Sequence, residues 1–302
     1  MQIGNVNLNL DHYTGQDFYS DGSIEDEILS MVKNNNDIHN ILATDNRWPL
    51  LYHLSPVRRN LLEWMDFSKG SSVLEIGAGC GALTGLLCEK AKHVTAVELS
   101  KRRATIIAER HKEHNNLDVI VGNWNDIRFN KQFDYITLIG VLEYASQFTK
   151  DEQPFNKFLS EIKNTLKPGG SLIIAIENKF GLKYWSGARE DHTSKFFDGL
   201  ENYPNTNKVR TFGKPEFESL LMDCGYKDLE FHYPYPDYKL PQQIFSDKFL
   251  PKVGFSQGTP NYDMDRIRIF NEGLVLDNLI GNEAFPFFSN SFLVICKKNK
   301  GA

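Results

Sequence analysis

Residues 73–85 read VLEIGAGCGALTG. An apolar run from Val73 to Ile76 is interrupted by one acid, Glu75, and glycines then stand at alternate positions, Gly77, Gly79 and Gly81. A short apolar run of this kind is a buried strand, and the stretch GALTGLLCEKA behind it has helical spacing. Glycine has no Cβ, so the backbone between strand and helix can turn sharply and lie close to a ligand. In an open parallel sheet, ligands bind beyond the carboxyl ends of the strands, where this loop stands.

Working outward, the same rhythm repeats. HVTAVELS (93–100) reads as a strand, KRRATIIAERHKEH as a helix, and LDVIVGN (117–123) and FDYITLIG (133–140) as strands. PFNKFLSEIKNTL is a helix stopped by KPGG, and SLIIAIEN (171–178) is the next strand. Near-continuous apolar strands alternating with helices call for a parallel sheet covered on both faces. GKPEFESLLMDCGY adds a helix, and KDLEFHYPY and SFLVICKK add two more strands. The expected fold is therefore α/β, a Rossmann-like, doubly wound, mostly parallel sheet of seven strands. Residues 70–235 and 290–302 form its core. Residues 1–69 read as a helical N-terminal extension or lid, irregular over the first 20 residues, with helices at SIEDEILSMVKN and SPVRRNLLEWM. Residues 236–289, rich in proline and aromatics, read as an insertion that caps the substrate.

The chain has 302 residues, 41% of them apolar and 24% charged, with a formal charge of -5. A dedicated nucleic-acid binder is more often basic, so a nucleic-acid partner is not expected. No apolar run reaches the roughly 18 residues of a membrane span. The stretch MQIGNVNLNLDHYTG has no basic region followed by an apolar core, so no signal peptide is read there. Four scattered cysteines form no CxxC pair, which argues against a structural zinc site or a disulfide framework. A reducing, cytoplasmic setting and no bound metal are the expectation. The apolar faces of the added segments serve either the core or an interface, such as that of a homodimer.

Glu98 ends the second strand, 17 residues after Gly81. An acid there accepts hydrogen bonds from ribose hydroxyls in nucleotide-binding sheets. A dinucleotide loop would read GxGxxG, with its third glycine at the position of Ala82 and pyrophosphate at the helix start. Here the loop is GxGxG, a spacing that leans toward S-adenosylmethionine, which carries no phosphate.

In this order and register, VLEIGAGCGALT, VTAVELS, GNWNDI, FDYITLIGVLEYA and LKPGGSLIIAI resemble the motifs of the class I S-adenosylmethionine-dependent methyltransferases. The resemblance covers roughly two-thirds of the chain and implies the following roles. Glu75 supports the loop and reaches the methionine amino group. Gly77, Ala78, Gly79 and Gly81 line the methionine and ribose side, and Glu98 with Leu99 holds the ribose. Asn123 stands where the family usually has Asp, keeping an acceptor for the adenine amino group, and Trp124 covers the ring. Ile139 and Gly140 face the reacting sulfonium.

For the acceptor, two readings compete. GALTGLLCEKAKHVTAVELSKRRA is locally similar to the ribosomal RNA adenine dimethylases. Their base-holding motif after the fourth strand is replaced here by LIGVLEYA, which looks like the same segment of small-molecule methyltransferases. The texture of ENKFGLKYWSGAREDHTSKFFDG and YPYPDYKLPQQIFSD is similar to bacterial saccharide and polysaccharide methyltransferases. The leading expectation is O-methylation of a sugar or nucleotide-linked sugar. The alternatives are an RNA adenine N-methyltransferase and a non-catalytic protein that keeps the cofactor fold. In YWSGAREDH (184–192), His192 is the expected general base near neutral pH, oriented by Asp191 or Glu190, with Glu143 as the second base candidate. Tyr52, His53, Arg59, Tyr144, Trp185 and Arg189 are the expected acceptor contacts. Of Arg58 and Arg59, neighbours on one helix, only one can face a cleft.

Overall fold

The computed structural model describes residues 1–17, 20–255, 258–260 and 264–299. Parts of the expected 236–289 insertion, and the last three residues of the expected core, lie outside the described residues. The chain falls into two compact units, one of residues 1–139 and 164–172, the other of residues 140–163 and 173–302. Ten strands are present among the described residues, against the seven expected. They are β1 (Gln2–Ile3), β2 (Val6–His12), β3 (Ser72–Ile76), β4 (His93–Glu98), β5 (Leu117–Gly122), β6 (Phe133–Ile139), β7 (Leu166–Glu177), β8 (Tyr226–Tyr235), β9 (Gln243–Ser246) and β10 (Ser291–Lys298).

The first unit carries strands in the order β1-β2-β5-β4-β3-β6, followed by the opening residues of β7. β2, β5, β4, β3 and β6 pair in parallel. The order reverses at β3, which lies between β4 and β6, and this is the switch point where α/β sheets place their ligands. Val73, Leu74, Val94, Ala96, Val119, Val121, Ile136 and Leu138 are fully or almost fully buried. Apart from Ala96, their branched side chains suit a strand covered on both faces.

Residues 2–12 correct the expectation of irregular chain. NVNLNLDH alternates apolar and polar residues, and β2 buries Val6 and Leu8 while its asparagines point the other way. It pairs with β5 from Asn7 opposite Asp118. The expected helix at 55–65 is broken into a 3₁₀ turn, Pro56–Arg59, and a short helix, Asn60–Glu63, after a separate helix at Trp48–Leu54. Ser55 closes the first helix and caps the turn, its hydroxyl accepting from the Val57 amide at 3.2 Å.

Helix Ile24–Lys33 buries Ile24, Ile28 and Val32 with Leu50, Leu54, Cys80 and Ile106. Burying each such side chain contributes about 1.5–3 kcal/mol. A partly buried ion-pair chain joins the same elements. Arg103 Nε donates to Glu25 at 2.7 Å, its other arm reaches Asp21 at 2.8 Å, and Asp21 meets His53 Nε2 at 2.7 Å.

The second unit carries the closing residues of β7, then β10, β8 and β9. β10, β8 and β9 run antiparallel, with an irregularity between Ile295 and Lys297. Helix Lys214–Asp223 places Phe217 beside Phe231, which meets Phe292 edge-on at 5.7 Å. Helices Glu272–Gly281 and Phe285–Phe288 lie within the expected insertion. No helix among the described residues is long and apolar enough to cross a membrane.

Candidate active site

In the first unit the site is built from strand ends. β3 stops at Ile76, and the amides of Gly77 and Ala78 both donate to the Val97 carbonyl, at 2.8 and 3.2 Å. Gly79 has φ +57, a left-handed conformation that costs other residues roughly 1–2 kcal/mol. A Cβ built there meets nothing within 4 Å, so the side of Gly79 is open. Gly81, with φ +76, is instead packed: a Cβ would stand 3.0 Å from His111 Nε2, which also meets the Gly81 carbonyl at 2.8 Å.

Glu98 ends β4 and ties loop and strand together. Its Oε2 accepts the Gly79 amide at 2.8 Å and its Oε1 accepts the Ser100 amide at 2.9 Å. Each oxygen keeps a second lone pair. Burial pushes the carboxyl up from its ordinary value, against the pull of Arg103 and the two amides. Leu99 follows, half-buried, before the Lys101–Arg110 helix. Glu75 is also buried and accepts the Thr84 hydroxyl at 2.6 Å. Loss of water raises it to about 7, and Thr84 opposes the rise.

Asn123 caps the 3₁₀ turn Trp124–Asp126, its Oδ1 accepting the Asn125 amide at 3.1 Å. The oxygen expected to serve a ligand therefore has a structural partner already, and the amide nitrogen is the side chain's donor. Trp124 is buried, stacks on Phe129 with centroids 5.8 Å apart, and holds its indole N–H out of water without a hydrogen-bond partner. Ile139 ends β6, half-buried.

Three expected acceptor contacts in this unit have structural partners. His53 is buried against Asp21, and burial lowers its pKa although the Asp21 bond opposes this. Tyr52 lies under the Arg58 guanidinium, 4.4 Å from ring centroid to Cζ. Arg59 corrects the choice between the two arginines. It faces outward and binds Glu89 through two nitrogens, at 2.8 and 2.5 Å, and Glu63 at 3.2 Å, whereas Arg58 is the buried one.

The second unit gathers a titratable cluster. Gly140, φ +68, donates its amide to the Ala175 carbonyl at 2.9 Å, and a Cβ there would stand 2.7 Å from the Tyr238 hydroxyl. The 3₁₀ turn Leu142–Tyr144 then buries Glu143. His192 is fixed through both ring nitrogens: Nδ1 meets the Tyr144 hydroxyl at 2.9 Å, and Nε2 meets Glu177 Oε2 at 3.3 Å. Glu177 also takes Lys239 Nζ at 2.5 Å and the Tyr238 hydroxyl at 3.2 Å on Oε1. Burial alone would lower His192, but Glu177 and Glu143 outweigh it and raise the imidazole to about 9. Burial, and next the Glu177 charge, raise Glu143 to about 8. Glu177 itself is held well below the carboxylate range: burial opposes this, and Lys239 and His192 prevail. Both expected bases are thus biased toward their protonated forms.

The expected orienting role of Asp191 and Glu190 needs correction. Asp191 is occupied by Lys183 at 2.8 Å, Lys239 at 3.0 Å and the Tyr184 hydroxyl. Glu190 accepts the backbone amides of His192 and Thr193 and the Tyr203 hydroxyl. Glu177, Tyr144 and Lys239 do the positioning instead. Trp185 is 44% exposed and lies edge-on to Phe288, at 6.3 Å. Arg189 stacks on Phe196 and pairs with Asp265 at 3.1 Å. The sequence reading missed Glu177, Lys183, Tyr238 and Lys239. Glu177 had a signal: like Glu98, it is an acid closing an apolar strand.

A parallel sheet that reverses at β3, a glycine loop behind β3 and an acid at the end of β4 give this unit a Rossmann-like fold. Residues 74–174, about a third of the chain, match the family described as Methyltransferase domain. Ribosomal RNA small subunit methyltransferase A of Clostridium botulinum is 38% identical over 93 residues, covering 29% of this chain and 33% of the relative. An uncharacterized methyltransferase of Staphylococcus carnosus is 32% identical over 139 residues, 46% of this chain and 60% of that one. The chain thus spans about a third of the length of the first relative and under two-thirds of the second. Phosphoethanolamine N-methyltransferase 1 of Haemonchus contortus, solved with phosphoethanolamine and S-adenosylhomocysteine, superposes with a TM-score of 0.50 at 12% identity. That match covers 95% of this chain and 51% of the other, and is a likeness of fold.

Proposed function

We propose that this protein is an S-adenosylmethionine-dependent methyltransferase acting in the cytoplasm on a small polar acceptor. The observation that carries the reading is the Glu98 carboxylate, which binds the Gly79 and Ser100 amides and keeps a lone pair on each oxygen for ribose hydroxyls. The open side of Gly79 admits a ligand against backbone, and the buried Trp124 N–H awaits an acceptor such as an adenine nitrogen. Glu75, Gly77, Ala78, Gly79, Gly81, Glu98, Leu99, Asn123, Trp124, Ile139 and Gly140 are the proposed cofactor contacts.

Bound there, the cofactor supplies an activated methyl group on its sulfonium. The protein's task is to align an acceptor in line with it and to receive the acceptor's proton. His192 and Glu143 are the proposed proton acceptors, each in the form that has released its own proton, and Asp191 is a positioning residue through Lys183 and Lys239. The acceptor we favour is a hydroxyl of a sugar or nucleotide-linked sugar, held by Tyr144, Trp185 and the lysine–carboxylate network. Dense buried donors and acceptors beside an exposed indole suit a polyhydroxylated molecule.

The test uses S-adenosylmethionine with a labelled methyl group, the purified protein, and two acceptor pools. Label entering a small-molecule pool that contains sugar nucleotides is the expected result. Label entering total RNA alone would replace the acceptor with a nucleic acid, and label in neither pool would sink the small-molecule reading.

A further inference from the structure

In the second unit, Glu143, Glu177 and His192 bring one ligating atom each to within 4.8 Å of the other two. They come from three segments: the turn after β6, the last residue of β7, and the loop after helix Leu182–Trp185. Glu143 and Glu177 are 1% and 0% exposed. Glu143 Oε2 is buried and meets no hydrogen-bond donor. A buried acceptor without a donor costs roughly 1–3 kcal/mol, more when charged, so folding leaves this oxygen waiting for an electrophile.

The charges around it point to which electrophile. Lys183 and Lys239 are tied to Asp191, Asp237 and Glu177. Glu190 is answered by backbone amides and Tyr203. Metal ligands bind in their deprotonated forms; with Glu143 ionised and His192 neutral, four carboxylates, Glu143, Glu177, Asp191 and Asp237, stand against two ammonium groups, and a divalent cation takes the place of the protons that Glu143 and His192 hold in the free protein. We infer that Glu143, Glu177 and His192 form a binding site for one divalent transition-metal ion.

The surroundings have the form of a ligand sphere already oriented. A ligating histidine normally commits its other ring nitrogen to a fixed partner, and His192 Nδ1 meets the Tyr144 hydroxyl at 2.9 Å. Ligating carboxylates are themselves hydrogen-bonded, and Glu177 Oε1 takes Lys239 and Tyr238, leaving Oε2 toward His192. One nitrogen and two carboxylate oxygens suit Mn²⁺ or Zn²⁺ better than a soft-ligand metal. Three protein ligands leave coordination positions open. If the transferase reading above holds, an acceptor hydroxyl oxygen takes one of them and is thereby oriented, and His192 and Glu143 then serve as ligands rather than as proton acceptors.

The experiment strips the full chain with chelator and titrates it with MnCl₂, followed by loss of the free-ion resonance, and with ZnCl₂ by calorimetry. One saturable equivalent per chain is expected for at least one ion, with Glu143→Gln weakening it by at least about tenfold. Glu143→Gln removes a charge but no hydrogen bond at Oε2. His192→Asn is the second variant, should the first fail to fold by circular dichroism. Absence of saturable binding, or variants that bind as tightly as the wild type, overturns the site. S-adenosylhomocysteine is titrated separately. Protein that binds it but no metal refutes the metal site alone, and protein that binds metal but no S-adenosylhomocysteine refutes the transferase reading alone.

Discussion

Glu75→Gln should stabilise the free protein by an amount that grows as pH rises from about 4.5 to about 7 and is level above that. Glu75 is buried beneath the glycine loop with one donor, the Thr84 hydroxyl at 2.6 Å. Loss of water lifts its carboxyl from 4.5 to about 7. Between these values the folded protein holds a proton that the unfolded chain releases. Stability therefore falls as pH rises through this window and is level above it. At 1.36 kcal/mol per pKa unit the whole loss is about 3 kcal/mol. A glutamine cannot ionise, its amide oxygen still accepts from Thr84, and its volume is nearly the same. Urea unfolding of both proteins at about pH 5 and about pH 8.5 should show the variant's relative stability growing by about 2–3 kcal/mol between the two. A difference that is the same at both pH values would refute the argument, because it would mean Glu75 does not change its ionisation on folding.

Glu98→Ala removes the acceptor shared by Gly79 and Ser100, and should abolish S-adenosylhomocysteine binding by calorimetry; an unchanged affinity would sink the cofactor assignment. Leu8→Ala in β2 should cost about 2–5 kcal/mol in chemical denaturation, since Leu8 is fully buried, and a loss under 1 kcal/mol would mean β2 is not integral to the unit. Arg59→Ala removes an exposed guanidinium that serves Glu89 and Glu63; the expected stability change is within about 1 kcal/mol, and acceptor affinity should not move once an acceptor is known.

The parallel core was legible because each of its signals is local. Val73–Ile76, Val94–Val97 and Ile136–Ile139 are short apolar runs, and each sits at the distance from the next helix that a crossover demands. β2 carried an equally local signal, alternation in NVNLNLDH, but its polar positions are asparagines, which disfavour strands. Tertiary pairing with β5 overrides that preference. The break at Ser55–Pro56 was also written in the chain. Proline pushes the preceding residue out of the helical region, and Ser55 indeed adopts ψ 128. Residue type alone could not say that Arg58 would be buried and Arg59 exposed; that depends on which face of the turn meets Tyr52.

The titratable cluster was legible only in its members, not in its wiring. His192 and Asp191 are neighbours in sequence, and proximity there suggested that one orients the other. In the fold, Asp191 is drawn to Lys183 and Lys239, because a buried carboxylate gains most from charged donors. Once Asp191 is committed, His192 needs another partner, and Glu177 supplies it from the end of β7. Glu177 in turn uses its other oxygen for Lys239, which comes from the segment after β8. Each pairing follows from the one before, yet every link spans residues that no local window contains. Glu143 is the residue left over when this chain of pairings is complete. In the metal site inferred above, its buried Oε2, which meets no donor, is the atom that takes the ion.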